Sequence, residues 1–115
     1  HVRLDMPGVT PELPTAVGVS AYRIAQESLT NVLKHAGANA AVDVTIQCVD
    51  QSLRVTVRDH GRGSAPGADR VTGNGLRGMR ERAAMVGGSF SAGNAEGGGF
   101  RVYAELPYAA EASAR

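Results

Sequence analysis

The spacing of apolar residues changes period along this chain, and that change limits the fold more than any other feature. Val17, Ala21, Ala25, Leu29, Val32 and Leu33 recur at helical spacing from Thr15 to His35, with Ala36-Gly37 as a stop and Thr15 as the expected N-cap. Alternation then takes over. Val42, Val44, Ile46 and Cys48 interleave with Asp43, Thr45 and Gln47, and Leu53, Val55 and Val57 with Arg54, Thr56 and Arg58. Only VDQS separates the two runs, which predicts an antiparallel hairpin.

The rest of the chain fits around that centre. Val2, Leu4 and Met6 predict a short strand or extended entry before a Pro-rich break, and a second helix is expected from Leu76 to Val86, capped by Gly87-Gly88. Ser89–Ala92 and Phe100–Leu106 read as two more strands, the last stopping at Pro107, with NAEGGG as the turn between them. Strand, long helix, hairpin, glycine-rich loop, helix and two strands make an α+β two-layer sandwich, with one mixed, mostly antiparallel sheet and its helices on one face. One domain is expected over residues 1–107, with 108–115 as a disordered tail.

Composition narrows the function. A net charge of +1 gives no basic surplus for a nucleic-acid backbone, and five aromatic side chains (three Tyr, two Phe) give no stacking platform for single strands. One cysteine excludes a disulfide framework and any multi-thiolate metal site. No uninterrupted apolar run approaches the roughly 18 residues of a membrane helix, so a cytoplasmic domain with no membrane contact of its own is expected. Fifteen of 115 residues are glycine, about twice the usual share, and most of the excess follows residue 60. Their interleaving with periodic apolar segments favours ligand loops over disorder.

Three segments carry possible chemistry. On the first helix Glu27, Asn31, Lys34 and His35 fall within about 100° of the helical wheel, opposite Ala25, Leu29 and Val32. Such a stripe is either a solvated face or an acid and an amide one turn apart, offering oxygens to a hard cation with Lys34 and His35 near phosphate charge. In Asp59-His-Gly61-Arg-Gly63 a strand runs into an acid followed by two glycines. That is either an Asp-Gly turn or a carboxylate for an exocyclic amine above a backbone floor. Gly73-Asn-Gly75-Leu76-Arg-Gly78 opens the second helix, where free N–H groups can meet an anion. It also reads GxGxxG, yet no strand precedes it, so the dinucleotide reading fails.

Taken together, Glu27-Ser-Leu-Thr-Asn31-Val-Leu-Lys34-His35-Ala36 resembles the N box of the ATP-binding domain of sensor histidine kinases. Asp59-His-Gly61-Arg-Gly63 resembles the G1 box, Gly73 to Arg82 the G2 box, and GGGFRVYAELP the final strand. The short lid and the GLRGMRER run are most similar to the nitrate-sensor and lipid-fluidity-sensor branch. The resemblance implies the Bergerat sandwich and a domain that binds Mg·ATP and donates the γ-phosphoryl group to a histidine on a separate dimerisation domain. It implies that Asn31 holds Mg²⁺ and that Glu27 assists the metal or polarises the attacking group. Lys34 and His35 would lie along the phosphates. Asp59 would take the adenine amine over Gly61 and Gly63, and Gly73, Gly75, Leu76 and Gly78 would close the lid on the phosphates. The lid itself is expected at residues 64–72.

Further expectations follow from the same resemblance: a response regulator with helix-turn-helix output as partner, no direct nucleic-acid contact, and a monomeric isolated domain. The alternatives are an anti-sigma-factor-like serine kinase and a nucleotide-free docking module of the same fold. Where the family commonly has the threonine of G-T-x-V, Phe100 stands, a side chain that packs but cannot donate. None of His1, His35 and His60 has the His-Asp or His-Glu setting of the family's phosphoacceptor.

Overall fold

A computed structural model describes residues 2–5, 12–35, 41–60, 74–95 and 98–108. Gly61, Gly63, Gly73, the lid expected at 64–72 and the tail from residue 109 onward lie outside the described residues. The elements run β1 (Val2–Asp5), α1 (Thr15–His35), β2 (Val42–Val49), β3 (Ser52–Asp59), α2 (Asn74–Met85), β4 (Ser89–Asn94) and β5 (Phe100–Pro107). The strands form one sheet in the order β1-β2-β3-β5-β4. Only the β1–β2 pair is parallel, so the sheet is mixed and mostly antiparallel, with both helices against one face.

Period two decides which side chains face the helices. On β3, burial alternates strictly, so Leu53, Val55, Val57 and then Asp59 point inward. Val42 and Val44 from β2, Val102, Ala104 and Leu106 from β5, and Phe90 from β4 complete that face. Val17, Ala21, Ile24 and Val32 of α1, with Met79 and Ala83 of α2, cover it. Ile46 and Cys48 are only partly buried; among the described residues β1 pairs with β2 as far as Thr45.

Three local details depart from the sequence expectations. Thr15 is not the N-cap: the Pro14 carbonyl accepts the N–H groups of Val17 and Gly18, both at 3.1 Å, which makes Thr15 the first helical residue. The hairpin is tighter than VDQS implies, since Val49 pairs with Ser52 across a turn of Asp50 (φ 54°) and Gln51 (φ 64°), as in a type I′ turn. Glycine's poor helix propensity places the start of α2 at Leu76 in sequence terms, yet α2 begins at Asn74 because its first turn packs on α1. Its far end follows expectation. Gly87 takes φ +78° and donates to the Ala84 carbonyl at 2.9 Å, while Gly88 donates to Ala83 at 2.8 Å, the paired bonds of a Schellman ending. Tyr108, the first residue assigned to the tail, packs against the core and donates its N–H to the Gln51 carbonyl at 3.1 Å.

Candidate functional site

The site is assembled by where α1 crosses the sheet. Leu53, at the start of β3, lines the same apolar groove as Ala21 and Ala25 of α1. From Leu53 to Asp59 the strand rises about 20 Å, and from Ala21 to His35 the helix rises about 20 Å. The same groove also takes in Leu29 of α1 and Val44 of β2, the register partner of Val57, so the C-terminal half of α1 and the buried end of β3 lie toward the same end of the sandwich.

At that end Asp59 is fully buried, an expensive place for a carboxylate unless donors meet it. Its Oδ1 accepts the main-chain N–H of Phe100 at 3.3 Å. The phenyl ring of Phe100 meanwhile turns into the core. The hydrogen bond that a phenyl group cannot make is thus supplied by the backbone of the same residue. Gly99 makes this contact possible: it holds φ +87°, and a Cβ there would run into the Asp59 carbonyl. The sequence reading treats NAEGGG only as a turn and misses Gly99. A run of three glycines leading into a strand was the signal available.

The second part of the site is the junction of α1 with α2. A Cβ on Gly75 would lie 3.1 Å from Glu27 Oε2, 3.6 Å from Asn31 Nδ2 and 3.8 Å from Asn31 Oδ1. Glu27 and Asn31 are half-buried there, so this part of the stripe is a helix–helix contact and not a freely solvated face. Lys34 remains exposed, and His35 is the last residue of α1. The N–H groups of Asn74, Gly75 and Leu76 precede the first intrahelical bonds of α2, and no acidic residue occupies that first turn. Gly78 sits one turn further, inside the bonded part of the helix, with nothing within 4 Å of where its Cβ would be. What it contributes is space.

Below this junction α2 is fixed by Met79, which is 1% exposed and has its Sδ 3.3 Å from Ser28 Oγ. Ser28 donates back to the Ile24 carbonyl at 2.7 Å, which satisfies a fully buried hydroxyl within its own helix. A groove of about 300 Å³ runs between the helices from this junction, bordered by Gly75, Glu27, Gly78, Arg23 and Arg82. Among the described residues no group of three or more His, Cys, Asp or Glu side chains is placed to hold a metal.

Of the residues singled out in the sequence, Glu27, Asn31 and Gly75 meet in one place. Leu76 adjoins them and packs partly on the core. Asp59 stands at the same end of the sandwich. The arrangement offers a buried carboxylate for a hydrogen-bond donor, unbonded backbone N–H groups for an anion, and an amide with a carboxylate for a hard cation.

The chain also has relatives among known proteins. The profile of the "Histidine kinase-, DNA gyrase B-, and HSP90-like ATPase" family matches residues 16–110. The chain is 38% identical over 108 residues to the sensor histidine kinase YxjM of Bacillus subtilis, covering 93% of this chain and 26% of that protein. It is 40% identical over 91 residues to the histidine-protein kinase/phosphatase UhpB of Salmonella typhimurium, covering 77% of this chain and 17% of that protein. Among solved structures, the histidine kinase domain of the blue-light activated kinase of Erythrobacter litoralis superposes with a TM-score of 0.77 at 26% identity. That match covers 97% of this chain and 54% of the other. The chain spans about a quarter or less of the two curated relatives.

Proposed function

The chain belongs to the histidine kinase-, DNA gyrase B- and HSP90-like ATPase family, and from that membership we propose that it binds Mg·ATP and donates the γ-phosphoryl group to a histidine on a separate dimerisation domain, in signalling to a response regulator with helix-turn-helix output. The observation that carries the proposal is the meeting of Glu27 and Asn31 with Gly75 at the start of α2, at the end of the sandwich where Asp59 is buried.

Each residue then has a defined task. Asp59 accepts the exocyclic amine of adenine, with Gly61 and Gly63 as the floor beneath the base. Gly73, Gly75 and Leu76 direct backbone N–H groups at phosphate oxygens, and Gly78 leaves room for the lid to close. Lys34 and His35 lie along the phosphates and offset their charge. Asn31 Oδ1 and Glu27 form a donor set that suits Mg²⁺, a cation that takes one or two protein oxygens beside phosphate oxygens. The metal, when bound, neutralises phosphate charge. In the transfer the γ-phosphorus parts from its bridging oxygen, ADP leaves, a P–N bond forms to the acceptor imidazole, and the imidazole N–H proton is released. Glu27 either assists the metal or polarises the imidazole. The protein's contribution is mainly position and charge, as phosphoryl transfer requires.

Calorimetric titration of Mg·ATP into the chain and two variants tests this. Asp59→Asn should weaken binding about 10- to 100-fold, the worth of one charge-assisted hydrogen bond. Asn31→Asp should keep the base contact and change the dependence on Mg²⁺. Equal affinity of Asp59→Asn and the parent would remove the adenine assignment.

A further inference from the structure

The three arginines of α2 have different surroundings. Arg77 pairs with Glu81 one turn on, at 3.5 Å, and Arg80 lies over the Phe90 ring at 5.5 Å. Arg82 borders the groove between the helices, and Arg23 of α1 borders the same groove. Among the described residues neither Arg23 nor Arg82 has an ion pair or hydrogen bond through its side chain, and both are exposed. Glu27 lines the groove too and pairs with neither, although it stands one turn from Arg23. Two guanidinium groups against one carboxylate leave the groove with a surplus positive charge. The open space at Gly78 leaves it accessible.

Position decides what such a groove is for. Arg23 is about 12 Å along α1 from Asn31, and Arg82 about 10 Å along α2 from Gly75. Both displacements run away from Asn31 and from the C-terminal end of α1, the end that lies with Asp59. On the reading proposed above, the nucleotide occupies the Asp59–Asn31–Gly75 end. Gly75 borders the same groove, so the phosphates occupy its near end, and an anion held between Arg23 and Arg82 lies about 10 Å further along both helices. Its approach along the groove leads to Glu27, and a guanidinium group favours planar, bidentate oxyanions such as carboxylates.

We propose that Arg23 and Arg82 are positioning residues that clamp an acidic side chain of the protein segment bearing the phosphoacceptor, and so set that segment's register against Glu27. The partner is an Asp- or Glu-containing segment. The inference rests on the kinase reading for the identity of the partner, and on charge and groove geometry for its chemistry. Exposed ion pairs are individually weak, so the clamp confers register and on-rate more than affinity.

Fluorescently labelled hexaglutamate serves as the probe, titrated into the chain at low salt with saturating Mg·ADP, beside Mg·ATP calorimetry on the same proteins. The double variant Arg23→Gln, Arg82→Gln should bind the peptide about tenfold more weakly than the parent. Its Mg·ATP affinity should stay within about twofold, and Arg77→Gln, which removes an arginine already held by Glu81, should match the parent. Replacing both arginines by Lys should restore part of the binding, since the charge returns without the fork. Equal peptide affinity in the parent and the double variant, or no peptide binding by the parent, overturns the clamp. A parallel loss of Mg·ATP affinity also overturns it and makes the arginines phosphate ligands. Arginine-dependent peptide binding in a chain that binds no nucleotide supports the clamp while refuting the kinase reading, so the two failures are separable.

Discussion

Replacing Gly99 by alanine perturbs the fold and the candidate site through one added methyl group. The backbone there is at φ +87°, where a Cβ costs an L-residue about 1–2 kcal/mol. The new Cβ also overlaps the main-chain carbonyl of Asp59 and comes within 3.3 Å of its Oδ1. That carbonyl belongs to a strand paired on both sides, and Asp59 itself is in register with Val42, so the obstruction is backbone and not the tip of a flexible side chain. Overpacking of that kind costs a further amount of about 1–3 kcal/mol. The two together give about 2–5 kcal/mol, a large share of the roughly 5–15 kcal/mol by which a domain is stable. At about 4 °C per kcal/mol the melting temperature should fall by about 8–20 °C. Thermal unfolding followed by far-UV circular dichroism measures the shift. Gly78→Ala is the matched control, because its Cβ meets nothing within 4 Å and α2 gains up to about 1 kcal/mol in helix propensity. It should melt up to about 4 °C higher than the parent. A Gly99→Ala protein that melts with the parent would refute the close approach of Gly99 to the Asp59 carbonyl.

Other perturbations test separate links in the chain of reasoning. Gln51→Gly should stabilise by about 1 kcal/mol, because Gln51 holds φ 64° in the hairpin turn where glycine is unstrained; urea unfolding midpoints read the change. Met79→Ala should cost about 2–5 kcal/mol, since it empties a fully buried site and removes the sulfur beside Ser28, and its urea midpoint should fall accordingly. The Tyr103 hydroxyl is pushed above its ordinary value of 10.0, by burial first and then by the adjacent Glu105, to which it donates at 3.2 Å. A raised value in the folded state means that folding favours the protonated phenol. The unfolding free energy should therefore decline as pH rises above 10.0, and Tyr103→Phe should flatten that decline in melts taken across the range.

Much of this architecture was legible because local periodicity and tertiary burial agree. Apolar residues at helical spacing defined α1 through His35 and to within one residue at its start, and strict alternation defined β3, including the inward face on which Asp59 continues the series of Leu53, Val55 and Val57. Gly87-Gly88 marked the end of α2 because the left-handed conformation demanded there nearly excludes other residues. The start of α2 was misplaced for the opposite reason: the helix propensity of Asn-Gly is poor, and packing on Glu27 and Asn31 overrides it.

The sequence alone therefore determined the elements, their faces and the residue types able to bind a nucleotide, since each depends on neighbours within a turn or a strand. Only the tertiary structure decided which polar residues of the stripe meet a second element: Glu27 and Asn31 at Gly75, with Lys34 left exposed. It alone showed that the Phe100 backbone serves the carboxylate of a residue 41 positions earlier, and that Arg23 and Arg82 border one groove. Those relations depend on how helices and strands cross in space, and spacing along a chain records nothing about contacts between residues that the sheet order brings together from far apart.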